Sequence, residues 1–125
     1  MKTQRQRQNA TKRADALYSA LIRSRGWCEA AGYRLACKGN LQCAHIIRRT
    51  YRATRWRTDP RNALCLCAAH HFFFTHHDLD WRDFIEVYRP GRWDTLREIA
   101  LHGGPEKAVD AVARLKGLMP LDASA

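Results

Sequence analysis

All five cysteines of this chain fall between Cys28 and Cys67, and three of its six histidines, His45, His70 and His71, lie in or just beyond that window. An odd cysteine count does not suit a disulfide framework. The N-terminus, MKTQRQRQNATKR, has no apolar core after its positive charges and is not a secretory signal. Metal binding is therefore the expected use of these cysteines. Cys67-Ala-Ala-His70 is a two-ligand bite, because two intervening residues let both side chains turn toward one ion where a helix begins. Cys28 and Cys37 supply the second pair, giving a Cys₃His set. Such a set is closed, tetrahedral and structural for Zn²⁺. Cys43 or Cys65 can substitute in it, but both sit in short apolar runs and read as packed strand residues.

The 125 residues suit one domain with a thin core, which a metal staple would reinforce. No apolar run approaches the length needed to cross a bilayer. Together with the missing signal, this places the expected protein inside the cell that makes it. Net charge is +10 and uneven: residues 1–61 carry 15 Lys/Arg against 3 Asp/Glu, residues 62–125 carry 7 against 9. A one-sided basic surface favours a polyanion, through steering and counterion release. No basic amphipathic helix suggests membrane lipid as that polyanion.

Periodicity divides the chain into a flexible basic arm (1–10), an N-terminal helix (11–26) capped by Thr11 and stopped by Gly26, a metal-bearing core (27–81) and C-terminal helices (82–125). Within the core, Leu41–Ile47 and Ala63–Leu66 read as the two strands of a hairpin. A long arginine-rich connection with an Asp59–Pro60 turn joins them, and a helix begins near His70. Asp80 and Asp94 are expected caps of later helices. One carries Trp81, Phe84, Ile85 and Tyr88 on its apolar face. A last helix presents Val109, Val112 and Ala113. The expected class is α+β, mostly helical.

The stretch Leu41-Gln-Cys-Ala-His45-Ile-Ile, followed by Asp59-Pro-Arg-Asn62-Ala-Leu-Cys-Leu-Cys67-Ala-Ala-His70-His71, resembles the HNH endonuclease family. It is most similar to the small zinc-bearing members common in phages and bacterial mobile elements. The resemblance covers about Trp27 to Trp81. It implies a beta-beta-alpha-metal core that hydrolyses DNA phosphodiesters, by nicking or double-strand cleavage. His45 matches the general base that activates water. Asn62 matches the residue that holds the base in line through backbone hydrogen bonds. His71 matches the ligand of a catalytic divalent ion, Mg²⁺, Mn²⁺, Ni²⁺ or Zn²⁺. His70 and His71 then serve different metals, since adjacent helix positions point about 100° apart. Ala44 departs from the family, which often has a metal-binding Asp or His there, and Thr75 stands where some members have His. The resemblance then leaves the ion to His71, waters and phosphate oxygens, with His76, His77 or Asp59 as further donors, or else makes His45 a ligand.

Six arginines, Arg48, Arg49, Arg52, Arg55, Arg57 and Arg61, crowd the connection and are expected to clamp phosphates of double-stranded DNA. Trp56 is expected to pack in that connection. The other reading of the same residues is a catalytically inactive zinc-bound module that binds DNA or RNA.

Overall fold

The protein is described by a computed structural model covering residues 3–47, 55–102 and 106–119. Helix α1 (Gln4–Arg23) is followed by a stretch of turns. Strand β1 (Leu41–His45) and strand β2 (Ala63–Cys67) come next, with short 3₁₀ turns at Arg55–Thr58 and Pro60–Asn62 before β2. Four helices complete the chain: α2 (Ala68–Thr75), α3 (Asp78–Tyr88), α4 (Arg92–His102) and α5 (Ala108–Leu118). The class is α+β and mostly helical, with one two-stranded antiparallel sheet. Among the described residues, no helix is long and apolar enough to cross a membrane.

The hairpin is the middle layer. Its register pairs Leu41 with Cys67, Cys43 with Cys65 and His45 with Ala63. Because side chains alternate along a strand, Cys43, Ala63 and Cys65 face Ala14, Tyr18 and Ile22 of α1 and Ala111 and Leu115 of α5. Ala44, Leu64 and Leu66 face the other way, into a cluster with Phe74, Ile85 and Leu96 of α2, α3 and α4. Every residue of β2 is buried, as expected of a strand covered on both faces. Tyr18 is fully buried yet satisfied, its hydroxyl donating to the Asp59 carbonyl at 2.7 Å.

Several boundaries differ from the expected ones, each for a local reason. Residues 4–10 are helical rather than a flexible arm. Thr3 caps α1 through a capping box with Gln6, whose side chain accepts from the Thr3 N–H at 2.8 Å. Thr11 is not a cap but a mid-helix residue donating to the Arg7 carbonyl. Helix α1 ends at Arg23, and the left-handed turn needed beyond it falls at Gly26, φ +84°. Helices α3 and α4 start two residues before Asp80 and Asp94. In α5 the buried face is Ala111 and Leu115, with Val112 half-buried beside them against the α1 cluster and Val109 exposed.

Candidate metal centre and nuclease site

Two hydrogen-bonded loops and the junction of β2 with α2 deliver four ligands to one point. Cys28 lies in the turn after α1, fixed because the Glu29 N–H donates to the Cys65 carbonyl at 2.8 Å. Cys37 lies in the loop before β1, held because the Ala69 N–H donates to the Lys38 carbonyl at 3.0 Å. Cys67 closes β2 and caps α2, and His70 sits in the first turn of that helix. The ligand atoms of these four residues all lie within 4.8 Å of one another. His70 Nδ1 is 3.1 Å from Cys67 Sγ and 3.7 Å from the sulfurs of Cys28 and Cys37. Zinc bonds of about 2.0–2.1 Å to nitrogen and 2.3 Å to sulfur, at tetrahedral angles, put such pairs roughly 3.6 Å apart.

The surroundings also suit a cation. His70 Nε2 lies 2.9 Å from the Tyr33 carbonyl. A carbonyl only accepts, so Nε2 carries the proton and Nδ1 is left with its lone pair toward the sulfurs. Burial pushes the Cys67 thiol up, but the His70 N–H, the His70 ring and the Lys38 N–H outweigh it and bring it down to about 6. Cys37 is pushed up to about 11 by lost solvation and by the sulfurs of Cys28 and Cys67. Three thiolates this close repel one another, and a divalent cation relieves that repulsion. The residues fit Zn²⁺.

Gly39 belongs to the same construction. Its φ is +87°, and a Cβ built there would stand 2.6 Å from the Cβ of Ala68. Both the backbone conformation and the close approach require glycine. Gly39→Ala is expected to force the Cys37 loop away from α2, lowering stability by about 1–3 kcal/mol and weakening metal retention. Chemical denaturation and metal content of the purified variant check this.

Cys43 and Cys65 stay outside the cluster. They oppose each other across the hairpin, and Cys65 is buried against α1.

His45 ends β1. Its ring lies 5.1 Å from that of Tyr18, and its Nε2 is 3.3 Å from the Arg57 carbonyl. A carbonyl only accepts, so the ring makes this contact as a hydrogen bond when its proton is on Nε2. Asn62 is fully buried in the turn before β2. Its Oδ1 accepts from the Ile47 N–H at 2.8 Å and its Nδ2 donates to the Ile47 carbonyl at 3.1 Å. The Asn62 carbonyl also accepts from the Ile46 N–H at 2.9 Å. The chain leaving His45 is thereby tied at three points.

His71 stands elsewhere on the hairpin. Its Nδ1 lies 2.7 Å from Gln42 Oε1, so Nδ1 donates and the ring ties α2 to β1. Burial lowers the pKa of this imidazole, which favours the neutral form. Gln42 and His45 are three positions apart on β1 and therefore on opposite faces, roughly 10 Å along the strand. The structure thus holds His45 with Asn62, and His71 with Gln42. An open depression of about 670 Å³ beside His71 is lined by Lys38, Gly39, Gln42, Ala68, Ala69, Phe72 and Thr75. These residues do not fit a preformed divalent-ion site: they offer one imidazole, no carboxylate, and an ammonium nearby. Of the further donors expected from sequence, His76 packs tilted on Phe72, His77 stacks on Phe73 with its Nδ1 2.7 Å from the Phe73 carbonyl, and Asp59 is bound by Arg61.

Of the six arginines of the connection, the side chains of Arg57 and Arg61 are described. Arg57 is held by both oxygens of Asp15 at 3.0 and 2.6 Å, which fastens the 3₁₀ turn to α1. Arg61 grips Asp59 at 3.0 and 2.9 Å, yet half of its side chain is exposed. Arg48, Arg49 and Arg52 lie outside the described residues, as do the side chains of Arg55 and Trp56. Gln42, missed in the sequence, was recognisable only as a polar residue two positions before Ala44 on the same strand face.

No curated protein and no solved structure matches the chain. Residues 22–79, which span both loops of the metal cluster, the hairpin and α2, match the family model described as HNH endonuclease, and through that segment the chain is similar to the HNH endonuclease family.

Proposed function

We propose that the chain hydrolyses DNA phosphodiester bonds with His45 as general base. The observation that supports this reading most is the triple tie between Asn62 and Ile46–Ile47, which fixes the strand end carrying the imidazole. A general base needs such placement within hydrogen-bond reach of its water. In the reaction, the His45 imidazole takes a proton from water as the water oxygen bonds to phosphorus. The bond from phosphorus to the 3′ oxygen breaks, and that oxygen is protonated by solvent. The Cys₃His zinc, when bound, supplies structural bracing of the two loops and takes no part in chemistry. Double-stranded DNA as substrate fits the basic N-terminal half of the chain.

A second reading, a zinc-braced nucleic-acid-binding module without catalysis, draws support from Ala44 and from the lack of carboxylates around His71 among the described residues. Supercoiled plasmid incubated with purified protein and Mg²⁺, Mn²⁺, Ni²⁺ or Zn²⁺ separates the two. Nicked or linear product appearing with at least one ion is expected. Retarded but intact plasmid with every ion would leave the binding module as the function.

A further inference from the structure

The turn that carries Asn62 is gripped by arginines from two other places in the fold, and a third arginine joins them through Glu29. Arg25, just after α1, donates Nη2 to the Pro60 carbonyl at 2.9 Å and Nη1 to the Ala63 carbonyl at 3.0 Å. Arg92, the first residue of α4, donates Nη1 to the Arg61 carbonyl at 2.5 Å. Arg89, just past α3, donates Nη2 to Glu29 Oε1 at 3.2 Å, and Arg25 donates to the other oxygen of Glu29 at 2.7 Å. Arg61 itself grips Asp59.

Four guanidinium groups therefore surround two carboxylates, with two positive charges in excess. The arrangement is layered. The Glu29 and Asp59 side chains are only 2% and 5% exposed, whereas those of Arg89 and Arg61 are 39% and 50% exposed. Both carboxylates are committed. Glu29 Oε2 also accepts the Cys65 N–H at 2.6 Å, and Asp59 Oδ1 accepts the Arg61 N–H at 2.9 Å. Arg92 is half-buried, and its pKa is lowered by lost solvation and by repulsion from Arg89, Arg25 and Arg61, with Asp59 opposing. Packing like charges together costs free energy unless an anion joins them. The position is significant too, because Ala63, whose carbonyl Arg25 holds, is the cross-strand partner of His45.

We propose that Arg61, Arg89 and Arg92 form a phosphate-binding site for the nucleic-acid backbone beside the His45–Asn62 turn, with Arg25 as the positioning residue beneath it. The site takes phosphates flanking the one that is cut. It rests on the nuclease reading and adds residues outside the arginine-rich connection. Guanidinium forks suit phosphate oxygens, and such contacts set register on the duplex without reading sequence.

The test is fluorescence anisotropy of a labelled 30-base-pair duplex with full-length, metal-loaded protein and no added divalent ion, from low to high salt. Each phosphate contact contributes about 0.9 to the slope of log K against log salt. Arg92→Ala and Arg89→Ala are each expected to reduce the slope by about one and to weaken binding about tenfold, equally for unrelated sequences. Arg97→Ala, on the exposed side of α4, removes the same charge and is expected to leave the slope close to wild type. Arg92→Lys keeps a cation and is expected to keep the slope while weakening binding, and it covers the case in which the alanine variant fails to fold. Wild-type slopes in Arg92→Ala and Arg89→Ala, wild-type affinity in Arg92→Lys, or equal losses in Arg97→Ala, would overturn the site while leaving the nuclease reading intact. Absence of salt-dependent binding by the wild-type protein would overturn both.

Discussion

Cys67→Ser is expected to empty the metal centre, lowering bound zinc from one per chain to none, and to unfold the protein at ordinary temperature. Residues 24–40 contain no helix or strand. They are fastened to the hairpin by a few bonds, chiefly Glu29 to Cys65 and Lys38 to Ala69. Tyr33 adds packing on Phe73, Phe74 and Phe84, and a bound metal would be the direct link from Cys28 and Cys37 to α2. Binding of structural zinc contributes on the order of 10 kcal/mol or more in small zinc domains, about as much as the whole stability of an ordinary domain. Packing alone predicts a smaller loss. Cys67 is a buried, small side chain, and its replacement in an ordinary core costs about 1–2 kcal/mol. Cys65→Ala is the control. It lies on the α1 face, outside the cluster, and is expected to keep the metal and most of the stability. A Cys67→Ser protein that holds one zinc and melts like the parent would end the structural-metal assignment. Acidification acts in the same direction as the substitution, because the ligands must lose protons to bind, so metal affinity falls as pH falls.

What the sequence could and could not disclose follows from the range of each interaction. Cys67-x-x-His70 is a local device, and its partners Cys28 and Cys37 stood out because the other two cysteines lie in apolar runs. Cys43 and Cys65 pair within the hairpin on the α1 face, whereas Cys67 stands at the strand end, where it caps α2 and joins the Cys₃His cluster. The arginines were read as one clamp because they are neighbours in sequence. Yet Arg57 finds Asp15, 42 positions away, and no local pattern announces such a pair. The same holds for Arg25, Arg89 and Arg92, which meet only because α3 and α4 fold back over the Asn62 turn. The early start of α1 had a signal, the Thr3-x-x-Gln6 capping box. It was outweighed by the lack of an apolar stripe over residues 4–10, where capping rather than burial holds the helix. In α5 the expected face is only partly used, since Val112 packs on the α1 cluster while Val109 is exposed: hydrophobic spacing fixes a helix more firmly than it fixes which of its faces is covered.

His45→Ala is expected to reduce DNA cleavage by about 10²–10⁴-fold, the range a positioned general base contributes. It should leave duplex affinity and zinc content close to the parent. The imidazole is half-buried against Tyr18, so its loss costs roughly 1 kcal/mol of packing, too little to unfold the chain. Asn62→Ala should look different. Asn62 is fully buried and serves both backbone groups of Ile47. Its removal strands an N–H and a carbonyl, at about 1–3 kcal/mol for each group left unpaired, and releases the strand end that carries His45. Cleavage and stability should therefore fall together in Asn62→Ala, while cleavage alone falls in His45→Ala. Cleavage rates and denaturant unfolding measured on both variants draw the distinction. A His45→Ala protein that cuts within a few-fold of the parent would move the base to another residue. If instead it unfolded with the large stability loss expected of Asn62→Ala, His45 would be a packing residue. The two substitutions thus ask separately whether the imidazole performs proton transfer and whether the buried amide places it.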